Sequence, residues 1–240
     1  MHAQMLHEEG RYAEALVKFE QVREQNPYLE NLNWMQGRTL FALQRYEDAA
    51  LFHTEAISNN PKQANAWQQR GMARIFMNEY DAGIDDLNKA LEMKQQDPWP
   101  YYYRGLAYYR LEEYATAIPD FEKAIEFIPE QPEFALGLAW SQLRVKQVAD
   151  AQETLKKALF KNPEHPGLLV ARASAFIHQS RDEAACGDVY KAATVSRDAD
   201  LLSAMTEFCR KPELNDVQRA DLLMILERYT RRHSGMQTNE

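Results

Sequence analysis

Residues 64–97 read ANAWQQRGMARIFMNEYDAGIDDLNKALEMKQQD, and residues 98–131 read PWPYYYRGLAYYRLEEYATAIPDFEKAIEFIPEQ. Laid one under the other, they match at a step of 34 residues, Gly71 with Gly105, Tyr80 with Tyr114, Leu87 with Phe121 and Ala90 with Ala124. The step continues in both directions. Gly37 precedes the small-residue column and Ala139 and Ala173 follow it; Tyr12 and Tyr46 precede the aromatic column, and Val148 follows. Pro27, Pro61, Pro129 and Pro163 form a third column, with Gln95 in the missing slot. Ala56, Ala90, Ala124, Ala158 and Ala192 form a fourth, and Phe19, His53, Leu87, Phe121, Leu155 and Val189 a fifth. A fixed period of this length signals stacked supersecondary units, each burying its apolar face against its neighbours.

Each column has a physical reason. A small residue lets the second helix of a unit approach closely, and the aromatic after the turn fills space between units. A proline cannot continue a helix and ends one unit before the next. Only nine glycines accompany abundant Ala, Leu, Glu, Gln and Lys, a composition that favours helix. The register predicts first helices near 31–43, 64–77, 99–111, 133–145 and 167–179, and second helices near 47–59, 81–94, 115–127, 149–161 and 183–196. Before them stands an incomplete unit with a first helix cut to residues 1–9 and a second helix at about 13–25. Pro119 falls early in a second helix, where a small kink is expected.

These columns resemble the tetratricopeptide repeat, whose pattern is a W-x2-L-G-x2-Y helix, a turn and an A-x3-F…P helix. The resemblance covers roughly residues 1–197. It implies an all-α, right-handed superhelical solenoid of tandem helix-turn-helix repeats. The last full repeat departs from the pattern, with Asp182 in the aromatic slot and Arg197 in the proline slot, as suits a terminal unit. Beyond it, residues 200–210 and 215–232 read as two more helices, the second opened by Asn215-Asp216 and closed by Arg231-Arg232. The expected organisation is a repeat array over 1–197, capping helices over 198–233 and a flexible tail over 234–240.

Composition excludes several function classes. The net charge of −8 repels phosphate backbones, and no basic stripe offsets it, so no nucleic-acid partner is expected. Cys186 and Cys209 lie far apart without a C-x-x-C pattern and read as two free thiols of a reducing compartment. No stretch approaches the ~20 apolar residues of a membrane span, and the first ten residues do not form a signal peptide. As given, the chain reads as cytoplasmic; the shortened first repeat leaves open a fragment whose upstream signal or anchor would change that reading. The six histidines show no ligand spacing, adjacent carboxylates such as Asp85-Asp86 do not face each other on a helix, and no phosphate loop or nucleophile motif occurs. No metal, cofactor or catalytic site is expected.

Arg70, Arg104 and Arg172 share one repeat position, and an aspartate follows each by 16 residues: Asp86, Asp120 and Asp188. The repeats holding Gln36 and Leu138 at that position have Phe52 and Thr154 at the other. Joint presence and absence implies an Arg–Asp contact between the paired helices of one repeat. A reading with the arginines aimed at a ligand stays open here.

By resemblance to the family, five positions of each first helix line a concave surface. The partner-binding set read from them is Trp34, Arg38, Met72, Phe76, Trp99, Tyr102, Leu106, Tyr109, Arg110, Leu136, Trp140 and Arg144. Aromatics with arginine are the usual composition of binding hot spots. Trp99, Tyr102, Leu106, Leu136 and Trp140 form the centre of the set, and the rings of Trp99, Tyr102 and Trp140 are expected to stand open until a partner covers them. The positions that match the family's chaperone-tail clamp hold Trp34, Arg38, Gln69, Trp99 and Tyr103, which does not meet that pattern. The resulting expectation is a non-catalytic scaffold or adaptor for a protein or peptide segment. The alternative is an architectural subunit whose groove is filled by its own tail or by a second copy of the chain.

Overall fold

The computed structural model describes residues 2–26, 29, 31–94, 96–211 and 213–233; Pro27 and Gln95 of the proline column and the tail expected over 234–240 lie outside them. The described residues form helices joined by short turns, with no strand among them. Twelve helices follow in order, in pairs joined by tight turns: α1 (His2–Glu8) with α2 (Tyr12–Gln25), α3 (Leu32–Ala42) with α4 (Tyr46–Asn59), and α5 (Ala64–Phe76) with α6 (Tyr80–Met93). Next come α7 (Pro98–Arg110) with α8 (Tyr114–Phe127), α9 (Pro132–Arg144) with α10 (Val148–Lys161), and α11 (Pro166–Ile177) with α12 (Asp182–Ser196). Two further helices, α13 (Ala199–Glu207) and α14 (Asp216–His233), end the fold. The chain divides into two compact units, Met1–Ala107 and Tyr108–Glu240.

The turn inside each pair has one construction. Gly10, Gln44, Asn78, Glu112, Lys146 and Ser180 recur at the repeat step, and all adopt the left-handed conformation, with φ between 56° and 76°. In each case the following residue's N–H reaches back five residues, as Glu79 N does to Arg74 O (2.8 Å) and Gln147 N to Gln142 O (2.8 Å). This is the Schellman arrangement, which satisfies the last carbonyls of the first helix and turns the chain into the second. Only Gly10 is a glycine, so this column escapes a reading based on residue type. At the other boundary, Pro98, Pro132 and Pro166 open α7, α9 and α11, where a missing N–H costs nothing. Helix α8 runs from Tyr114 to Phe127 through Pro119.

Packing follows the columns. Phe19, His53, Leu87, Phe121, Leu155 and Val189 are all buried, as are Ala56, Ala90, Ala124, Ala158 and Ala192. The small-residue column is needed for space: a methyl group on Gly37 would meet the His53 ring at 2.5 Å, and one on Gly71 would meet Gly83 O and Leu87 Cγ at 3.0 Å. Within the first unit each hairpin packs on the next from α1 to α6, and α3 also touches α5. Within the second, α8 to α13 stack in order, α9 reaches α11, and α14 packs on α13 and α11.

The two cysteines correct the sequence reading. Cys186 on α12 and Cys209, just after α13, form a disulfide with their Cα atoms 5.4 Å apart, so they are not free thiols. Their separation of 23 residues is bridged because α13 folds back against α12. No spacing motif marks a pair that tertiary packing alone brings together.

Candidate functional site

The Arg–Asp columns decide which arginines are available to a ligand. Arg70 donates through Nε and Nη2 to both oxygens of Asp86, at 2.8 and 2.7 Å. Arg74 Nη1 adds a third bond to Asp86 Oδ2 at 2.8 Å. Arg172 grips Asp188 through the same two nitrogens, both at 2.7 Å. Asp86 and Asp188 are buried, so these forks tie α5 to α6 and α11 to α12. Arg104 and Asp120 belong to different units, and their pairing stays an expectation; Arg104 Nη1 donates to Asn88 Oδ1 at 2.6 Å. In α9 and α10, where the columns lack both charges, Thr154 Oγ1 donates to Gln142 Oε1 at 3.1 Å instead.

In the first unit, Trp34, Arg38, Phe76 and Trp99 are half-buried and keep part of their surface accessible. The Arg38 guanidinium lies 4.9 Å from the Trp34 ring centroid, a cation–π geometry that fixes both side chains. Phe76 stands in an aromatic cluster, edge-on to Phe41 at 5.5 Å and stacked on Tyr46 at 5.0 Å. It meets Tyr103 at 6.3 Å. Trp99 is edge-on to Tyr102 at 6.0 Å, and its backbone N–H donates to Asp97 Oδ1 at 3.1 Å.

The centre of the expected set is less open than the sequence suggests. Met72, Tyr102, Leu106, Leu136 and Trp140 are 8%, 5%, 2%, 1% and 3% exposed, which corrects the expectation that Tyr102 and Trp140 stand open. These positions are buried one repeat step away as well, at Gln68, Leu136 and Val170 for Tyr102 and at Met72, Leu106 and Ser174 for Trp140, and in α9 every residue from Phe134 to Leu143 is buried. A helix hydrophobic all round is a core helix. Gly137 lets the Phe121 ring in, since a methyl group there would overlap it, and Gly167 lets Leu136 approach, at 3.2 Å from such a methyl.

In the second unit the inner positions are engaged by the chain's own C-terminal helix. Arg144 Nη1 lies 3.6 Å from Glu227 of α14, while its guanidinium sits 4.8 Å from the Tyr114 ring centroid. Tyr109 and Arg110 are half-buried and Arg144 is exposed. Burial pushes the Tyr109 hydroxyl up to about 12, partly opposed by Arg144, and Glu227 and Arg231 of α14 contribute to its field. Glu227 also faces His178 at the end of α11, whose pKa is lowered mainly by burial, with Glu227 opposing that shift. On α11 itself, Val170, Ser174 and Ile177 are buried.

Sequence reasoning missed the device that seats α14. Asp182, in the slot where other repeats carry an aromatic, accepts Arg219 Nε at 3.0 Å and Nη2 at 2.8 Å. It also accepts Leu214 N at 3.2 Å. Arg219's hydrogen bonds hold the Asp182 carboxyl below the ordinary carboxylate range. The aspartate at an aromatic position was the available signal.

Comparison with known proteins agrees with this architecture. Family models described as tetratricopeptide repeat match residues 98–131 and, in a longer form, residues 1–64 and 136–200; one described as TPR repeat matches 77–112. No curated protein sequence matches the chain. Among solved structures, a tetratricopeptide repeat protein from Parabacteroides merdae is similar over 94% of this chain and 96% of its own, with 18% identity and a TM-score of 0.69. YrrB, described as a TPR protein with an unusual peptide-binding site, is similar over 78% of this chain and 97% of its own, with 19% identity and a TM-score of 0.63. A thermophilic TPR protein in Thermus thermophilus is similar over 73% and 95%, with 22% identity and a TM-score of 0.58. At these identities the likeness is one of fold. No helix among the described residues is long and apolar enough to cross a membrane.

Proposed function

The chain belongs to the tetratricopeptide repeat family, and from that premise we propose a non-catalytic scaffold or adaptor that holds a segment of a partner protein on the first helices of its first unit. The observation that carries this reading is the partly accessible row of Trp34, Arg38, Phe76 and Trp99, in which a cation–π pair and an aromatic cluster present rigid faces at positions the repeat leaves variable. Rings already fixed by their neighbours lose little entropy when a partner covers them. The likeness to YrrB, whose description includes a peptide-binding site, supports the same direction.

The test uses a peptide selected on the immobilised chain from a displayed random library. Trp34→Ala and Trp99→Ala should each weaken its binding by roughly 1–4 kcal/mol with the helical circular dichroism retained, and Trp34→Ala should also lower the melting temperature, because that ring packs on Ala56, Ile57 and Ala66. Trp140→Ala, at a buried ring, should instead cost about 3–5 kcal/mol of stability. Selected peptides indifferent to both Trp34 and Trp99 would sink the reading.

A specific observation favours a second reading for the other unit. Helix α14 packs on α11, pairs Glu227 with Arg144 and is anchored through Arg219 to Asp182, so the chain's own C-terminal helix takes the place of a partner there. The chain is then partly architectural. Sedimentation at several concentrations separates self-filling from an obligate oligomer, because the first keeps the monomer mass and the second keeps a multiple of it on dilution.

A further inference from the structure

The last turns of α10 break the acidic character of the chain. Acidic residues outnumber basic ones 36 to 28 overall, yet Lys156, Lys157 and Lys161 surround Phe160. Phe160 is 84% exposed, more than any other large hydrophobic side chain among the described residues. The fold does not require it. One repeat step at a time, the same position holds Glu24, Ser58, Glu92, Glu126 and Thr194, all polar.

The surroundings are shaped for a ligand group. A depression of about 530 Å³ lies between α10 and α11, lined by Lys156, Lys157, Leu159, Phe160, Lys161 and Arg172. The charge of Arg172 is already matched by Asp188, so the unneutralised charge comes from the lysines. Glu153 lies 3.7 Å from Lys156 and 3.6 Å from Lys157, but those two lysine side chains are 78% and 75% exposed, and ion pairs this open and this long count for little. Lys191 of α12 donates to Pro163 O at 2.8 Å and brings a fourth ammonium group to the same end of α10.

We propose that this patch is a second docking site, distinct from the aromatic row of the first unit, and that its occupant is an acidic peptide segment carrying one apolar or aromatic anchor. The anchor seats against Phe160 and Leu159, and flanking carboxylates meet the lysines. Charge complementarity selects an acidic partner, and the size of the depression selects a side chain over a flat surface. An anionic bilayer fits less well. The net charge of −8 repels an extended anionic surface, whereas a short peptide feels only charges within about 8 Å at physiological salt.

The experiment is fluorescence anisotropy on the full chain with a labelled short peptide of glutamates around one central phenylalanine, against a control peptide with lysines in place of the glutamates. The acidic peptide should bind, the basic one should not, and added salt should weaken binding. Phe160→Ser, and separately the combined change Lys156→Gln, Lys157→Gln and Lys161→Gln, should each reduce affinity by about tenfold or more, as expected for an anchor and its charged rim. All four side chains are exposed, so circular dichroism should be unchanged, and Trp99→Ala should leave this binding intact. No binding, or binding indifferent to both sets of changes, overturns the proposal. Binding to phosphatidylserine–phosphatidylcholine vesicles through Phe160 without peptide binding overturns it in favour of a membrane surface. Self-association lost in Phe160→Ser, again without peptide binding, overturns it in favour of a second copy.

Discussion

At the scale of single residues, His53 shows most directly how one departure from the repeat changes the physics. The other members of its column are Phe19, Leu87, Phe121, Leu155 and Val189, and His53 is as deeply buried as they are. Neither ring nitrogen meets a hydrogen-bond partner among the described residues. Burial, assisted by Arg70 and Arg38, lowers its pKa from 6.5 to about 3. The sign follows from linkage: below pH 6.5 the unfolded chain binds a proton that the folded chain refuses, so stability falls as pH drops from about 6.5 towards 3. The slope from this one group approaches about 1.4 kcal/mol per pH unit. His7, His165 and His178 are lowered too, mainly by burial, and act in the same direction. His53→Leu should therefore stabilise the chain by about 1–3 kcal/mol at neutral pH, by removing unpaired buried polar atoms. It should widen that margin in acid. Urea titrations of parent and variant at pH 7 and pH 5 check this, and an equal loss in both on acidification would count against it.

At the scale of elements, what the sequence makes legible is what repeats. The predicted first and second helices over 64–77 and 81–94 appear as Ala64–Phe76 and Tyr80–Met93, because five columns agree on the register. The left-handed turn column was not legible, since Gln44, Glu112 and Lys146 carry no chemical mark of their conformation. A side chain there costs roughly 1–2 kcal/mol against glycine, which is why Gly10 stands at the same step. Lys146 is exposed and its φ is 64°. Lys146→Gly should raise stability by roughly 0.5–1 kcal/mol, the left-handed penalty less the added freedom of the unfolded chain. In denaturant the midpoint should rise with an unchanged slope. A lower midpoint would mean that the lysine contributes more than its backbone costs.

At the scale of the molecule, the illegible features are those with no counterpart one repeat away. The Cys186–Cys209 pair and the Asp182–Arg219 anchor depend on contacts that occur once, so no column records them. The same holds for α14, whose sequence reads as a cap but whose position on α11 is set by tertiary packing. That position makes a definite demand on stability. Leu222, Leu226 and Tyr229 of α14 are buried, and each contributes about 1.5–3 kcal/mol by leaving water. Val170 and Ile177 of α11, the helix on which α14 packs, are 0% and 3% exposed. Deleting residues 213–240 should remove several kcal/mol of stability and open the apolar face of α11, because a repeat stack needs a polar end for solubility. The expected outcome is a lower melting temperature with aggregation that grows with concentration. If α14 only stands in for a partner, the truncated chain should instead melt like the parent and stay monomeric, with a newly accessible face on α11. Light scattering alongside the melt distinguishes the two, and the second result would show that the repeat stack holds its terminal face without the helix.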